Sequence, residues 1–304
     1  MADSIISESK WLAGLTPEMD IREAGQQILH TRISHVVRWL EKLEKQQDEE
    51  SIHQLRVSTR RAEAAVRLLR PCLRRKVCRN ARDTLRALRQ SAGTARDTDV
   101  LISHVQKRLE NASETSRPGL DFFLGFLFRQ RSAAHHSLQS LAVGEFREQA
   151  ERWHETRKGD HPQTFGPLAQ EALRAAFSRF QNALDDNLES EAALHAVRIR
   201  GKRLRYVLEI VGPCLDRRLV EETYPQLEAM QEMLGEVNDA HTALTLITPL
   251  RSSLPSLGKP GGRYRTGLDT LLRAQQRRIT QQRARFEIWQ THWRSMTHPS
   301  LDGP

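Results

Sequence analysis

Residues 51–71 read SIHQLRVSTRRAEAAVRLLRP, and residues 193–213 read ALHAVRIRGKRLRYVLEIVGP. Drawn on a helix at ~100° per residue, the first stretch separates into two faces. His53, Arg56, Arg60 and Arg67 fall on one stripe; Leu55, Ala62, Val66 and Leu69 fall opposite. The second stretch does the same, with His195, Arg198, Lys202 and Arg205 against Val197, Leu204, Leu208 and Val211. Each stretch is therefore expected to be a helix that rests on a core and carries a row of cations outward.

The two stretches belong to a longer duplication. A shift of 142 positions aligns His53–Asp97 with His195–Asp239 without a gap, and eleven positions are identical. They include the His and Arg pairs, Pro71/Pro213, Cys72/Cys214, Gly93/Gly235 and Asp97/Asp239. Working outward, residues 22–46, 74–109, 165–189, 216–249 and 264–294, and the run from Leu120, repeat apolar residues at threes and fours. No run alternates as a half-buried strand would. The expected fold is all-α: an internally duplicated pair of four-helix bundles related by a pseudo-twofold axis. The expected organisation is an N-terminal segment 1–21, a helical domain 22–295 and a tail 296–304. Within the domain, units 22–155 and 167–295 flank a linker at 156–166. Pro71 and Pro213 should each end or sharply kink a helix.

The 304 residues carry 47 Lys+Arg against 38 Asp+Glu, a formal charge of +9. That surplus favours an anionic partner. It is uneven: residues 53–97 hold 13 Lys+Arg and 3 Asp+Glu, whereas 195–239 hold 7 and 8. Part of the excess is a second single-face row, Arg79, Arg82, Arg86 and Arg89, which reads equally as an addition to the binding surface or as an outer solvated face. Cys72, Cys78 and Cys214 are too few for a disulfide framework and read as small buried residues. No export signal or membrane span is expected, so the chain reads as cytoplasmic.

Helix positions three and four apart place cations roughly 5–6 Å from one another, which suits a ligand with regularly spaced phosphates. Arg supplies bidentate contacts and Lys a point charge. A histidine beside such a ligand becomes a better donor as it protonates. Arg61 and Arg203 lie off the stripes, towards apolar neighbours. The sequence pairs them with the repeated acids Asp97 and Asp239 as structural ion pairs. No Gly-rich phosphate loop, nucleophile motif or metal-ligand cluster is present. The expectation is a protein that is not an enzyme and needs neither cofactor nor metal.

These residues resemble the CHAD domain, the conserved histidine α-helical domain. The resemblance rests on His53-x-x-Arg56-x-x-x-Arg60-Arg61 and His195-x-x-Arg198-x-x-x-Lys202-Arg203-x-Arg205-Tyr206. Gly93 to Val100 and Leu234 to Ala240 extend it, and it covers about residues 22–295. It implies two helical subdomains, a basic channel or groove, binding of inorganic polyphosphate and association with polyphosphate granules and their proteins. The family's basic residues map onto His53, Arg56, Arg60, His195, Arg198, Lys202 and Arg205. One departure is Glu63, which stands where the second copy has Arg205. Family members are often joined to a triphosphate tunnel metalloenzyme domain; its Glu-x-Glu-x-Lys motif is absent from this sequence, which therefore reads as a stand-alone domain. The rival partner is nucleic acid bound without regard to sequence; no membrane partner is expected. The stripes lack the aromatic platforms that base readers use, Tyr206 apart, which favours a ligand made of phosphate alone.

Overall fold

In a computed structural model, residues 9–46, 48–139, 143–154 and 163–296 are described. Most of the expected linker, 156–162, and all but the first residue of the tail lie outside them. The described residues form helices joined by turns, with a single isolated bridge, Asp20 to Thr164, as the β-type pairing. The fold class is all-α. In chain order the helices are α1 (Ile21–Lys45), α2 (Glu49–Leu68), α3 (Arg75–Leu109), α4 (Arg117–Gln139) and α5 (Val143–Glu151). After them come α6 (Phe165–Leu184), α7 (Glu191–Leu215), α8 (Tyr224–Ser253), the single turn α9 (Lys259–Gly262) and α10 (Arg265–Ser295).

Local chemistry sets where the two basic helices begin. The Asp48 side chain accepts from the Ser51 N–H at 2.6 Å and from the Ser51 hydroxyl at 3.0 Å, capping α2. Ser190 caps α7 by accepting from the Ala193 N–H at 3.1 Å. Both caps sit one turn or so before the repeated histidine. The apolar faces are buried as the periodicity requires: Leu55, Ala62, Val66 and Leu69, and Val197, Leu204, Leu208 and Val211, all lie in the core.

Two compact units emerge. The first holds the described residues of 1–90, 141–231 and 295–304, and the second those of 91–140 and 232–294. The division therefore runs across the two sequence copies and falls inside α3 and α8. In the first unit α1 packs along α2, α6 along α7, and α2 meets α7. Residues 9–20 close this unit: Leu12 and Leu15 are buried, and the Trp11 ring lies 4.6 Å from that of Tyr224. In the second unit the core is built from Leu101 and Val105 of α3, Phe123 and Leu127 of α4, Ile247 of α8 and Leu271 of α10. There α4 and α10 approach at two glycines. A Cβ on Gly267 would stand 2.6 Å from the Gly119 Cα, and one on Gly119 would stand 2.7 Å from the Gly267 Cα.

Pro71 follows the end of α2, as expected, but Pro213 does not itself end its helix: α7 continues through it to Leu215. A helical proline leaves the carbonyl four residues earlier without its partner. Here that is Glu209 O, which accepts from the Leu12 N–H at 3.2 Å and from Arg32 Nη2 at 3.3 Å. The N-terminal segment and α1 thus supply the bonds that the proline removes.

Candidate functional site

The cations of α2 and α7 converge. Lys202 has Arg60, Arg198, Arg56 and Arg205 as its strongest charged neighbours. Burial first, and then those four guanidinium groups, hold the Lys202 ammonium well below the ordinary lysine range. Burial also lowers Arg60, with Arg56 and Arg198 adding to it and Tyr206 opposing. Tyr206 is buried and accepts hydrogen bonds from both Arg60 and Arg205. The Arg205 guanidinium lies 5.2 Å from the Tyr206 ring centre and 3.6 Å from Glu228. Five of the eight primary cations read from the sequence therefore form one cluster with a tyrosine at its base. His53 is half-buried and His195 exposed, each one turn before its arginine.

Arg67 parts from this group. Its charged neighbours are Glu63, Arg82, Arg179 and Arg89, and burial lowers it first. Arg203 belongs to the same surroundings, with Arg67, Arg200, Arg179 and Glu63 about it. Glu63 accepts from Arg89 Nε at 2.9 Å. A cavity of about 320 Å³ adjoins this second cluster and is lined by Arg67, Arg70, Arg179, Arg200 and Arg203 over an alanine-rich floor. Arg82 and Arg89 of the extra row thus join Arg67, whereas Arg79 and Arg86 are exposed along α3.

The expected ion pairs are corrected. Arg61 Nε donates to Glu209 Oε2 at 2.6 Å, not to Asp97. The acid among the strongest neighbours of Arg203 is Glu63, not Asp239. Asp97 and Asp239 belong to the other compact unit. Spacing within a repeat cannot distinguish partners on the same copy from partners on the opposite one. Glu209 is fully buried and also accepts from the Tyr224 hydroxyl at 2.7 Å. Arg32 completes this hub. Burial pushes it down to about 10 while Glu209 draws it up, and its Nη2 donates to Lys10 O at 2.8 Å.

Sequence reasoning missed Glu209, Arg32, Arg179 and Arg200. Arg32 had a signal, because it matches Arg174 at the repeat shift. Glu209 had another: its counterpart is Arg67, a change of sign in the middle of a basic helix.

Among the described residues, no group of three His, Cys, Asp or Glu side chains is placed to hold a metal ion. Asp99 instead accepts from Arg131 Nε at 2.6 Å. Cys72 and Cys214 are unpaired thiols, and burial raises both, Cys214 to about 11. No described helix is long and apolar enough to cross a membrane.

Fold and cluster together define an all-helical protein with a concentrated cationic face. Residues 27–248 match the CHAD domain, and the chain belongs to that family. It is also similar to the crystal structure of the CHAD domain from the plant Ricinus communis, with a TM-score of 0.71 and 21% identity over 96% of this chain and 98% of that one. PptA from Streptomyces chartreusis is similar too, with a TM-score of 0.68 and 17% identity over 90% of this chain and all of the other. No curated protein sequence matches the chain.

Proposed function

We propose that the protein binds inorganic polyphosphate without catalysis, through the cluster of Arg56, Arg60, Arg198, Lys202 and Arg205 with His53 and His195 at its entrance. The observation that carries this reading is Lys202, on which the charges acting most strongly are those of four arginines. Cations crowded in this way repel one another and resist burial. A polyanion relieves both costs at once, by setting negative charge beside the guanidinium groups and by favouring the charged form of the lysine. The family membership supports the same ligand. Arg67 and the second cluster around Glu63 extend the basic surface beyond the primary site. We further propose a cytoplasmic protein that associates with polyphosphate granules.

The test is a titration of the full chain with long-chain polyphosphate and with single-stranded DNA at two salt concentrations, beside the Arg56→Ala/Arg198→Ala variant. Tight polyphosphate binding that survives the higher salt, and is lost in the folded variant, supports the reading. Equal affinity for both polymers, or an unaffected variant, overturns it in favour of bulk charge and a nucleic-acid partner.

A further inference from the structure

The second compact unit contains its own cavity, whose lining shares no residue with the cationic clusters described above. It has a volume of about 690 Å³ and lies among α3, α4, α8 and α10. Its floor is apolar: Leu101, Val105, Phe123, Ile247, Leu271 and Ala274. These are buried core residues, and the cavity opens above them. Lys107, Arg108 and Arg277 are exposed and stand among the lining residues as cations. Arg278 is already committed to an ion pair with Glu236 and lies 3.4 Å from His104 Nδ1. Burial, followed by the Arg278 charge, holds His104 below the ordinary histidine range.

One side chain has no evident structural purpose. Gln275, on α10, is 9% exposed and lines the cavity, and its Oε1 is without a hydrogen-bond partner among the described residues. Leaving a buried acceptor unmade costs about 1–3 kcal/mol. A hydrocarbon chain would fit the floor but leave this oxygen bare. A bare phosphate chain would suit the rim but not the floor. The cavity asks for a flat, largely apolar body that brings a donor inward, attached to several negative charges that stay at the edge. Its volume falls within the range of small-molecule sites.

We propose that this cavity binds a nucleoside polyphosphate, base first. The exocyclic amino group of the base donates to Gln275 Oε1, the ring lies against Phe123 and the aliphatic floor, and the phosphates meet Lys107, Arg108 and Arg277. The site is separate from the polyphosphate cluster, so it stands if that reading fails.

Calorimetry on the full chain tests it, in the Arg56→Ala/Arg198→Ala background so that the α2–α7 cluster contributes little. ATP is expected to bind at least ten-fold more tightly than tripolyphosphate, which lacks the base. It should also bind at least ten-fold more tightly than inosine triphosphate, which carries a carbonyl in place of the amino group. Gln275→Leu should erase the preference for ATP over inosine triphosphate while leaving tripolyphosphate binding unchanged. Arg277→Gln, at an exposed position, should weaken both nucleotides alike. Equal binding of all three ligands overturns the proposal, because rim charge alone then explains it. Absence of ATP binding overturns it as well. The ATP and inosine triphosphate comparison needs no substitution at Gln275, so the result does not depend on that variant folding.

Discussion

Arg61 and Glu209, 148 residues apart, meet at 2.6 Å and join α2 of the first sequence copy to α7 of the second. The partner arises from a break in the repeat, since Glu209 occupies the position that Arg67 holds in the first copy. Glu209 is also where Tyr224 and the carbonyl freed by Pro213 are anchored. One residue therefore ties α1, α2, α7, α8 and the N-terminal segment together.

Glu209→Ala should strongly destabilise the protein. It leaves Arg61 without its carboxylate partner and Arg32 without the negative charge that offsets its burial, a change worth about 3–5 kcal/mol when a buried partner is removed. Thermal melting should show a fall in Tm on the order of 10 °C. Adding Arg61→Leu should recover part of the loss, because the orphaned charge goes with it. A single variant that melts like the wild type refutes the hub.

Lys202→Met should do two opposite things. It removes an ammonium that four arginines disfavour, so Tm should rise by about 2–4 °C, the effect of roughly 1 kcal/mol. Polyphosphate affinity should fall at least ten-fold. A variant that gains stability and keeps its affinity would show that Lys202 is outside the site.

Binding should also consume a proton. The free-state Lys202 pKa is depressed, and a bound polyanion raises it, so protons are taken up between the two values. Affinity should therefore increase as pH falls through that window. Calorimetry in buffers of different ionisation enthalpy reads the uptake directly. Lys202→Arg, which stays charged, should reduce it; unchanged uptake would assign the proton elsewhere. By the same sign, the stability of the free protein should rise with pH between the depressed folded value and the ordinary lysine value.

Gly267→Ala should destabilise the second unit by about 1–3 kcal/mol, because its Cβ would stand 2.3 Å from Ser116 O. Gly125→Ala is the contrast. Nothing lies within 4 Å of a Cβ there, and the helix should gain about 0.5–1 kcal/mol. Equal effects of the two substitutions on melting would remove the close crossing as an explanation.

The sequence by itself determined the helices, their apolar faces and which cations line α2 and α7. Those features repeat at three and four residues, and a helix converts that spacing directly into a face. The duplication told which residues of the two copies correspond, and so placed Arg56, Arg60, Arg198 and Lys202 in one argument before any contact was seen. Tertiary structure alone decided the rest. It paired Arg61 with Glu209, moved Arg67 into a second cluster with Arg179 and Arg203, carried α7 through Pro213 and opened the cavity beside Gln275. Each of these depends on groups brought together from distant parts of the chain. Their distance is set by how helices pack, and packing leaves no periodic trace in either partner's own segment.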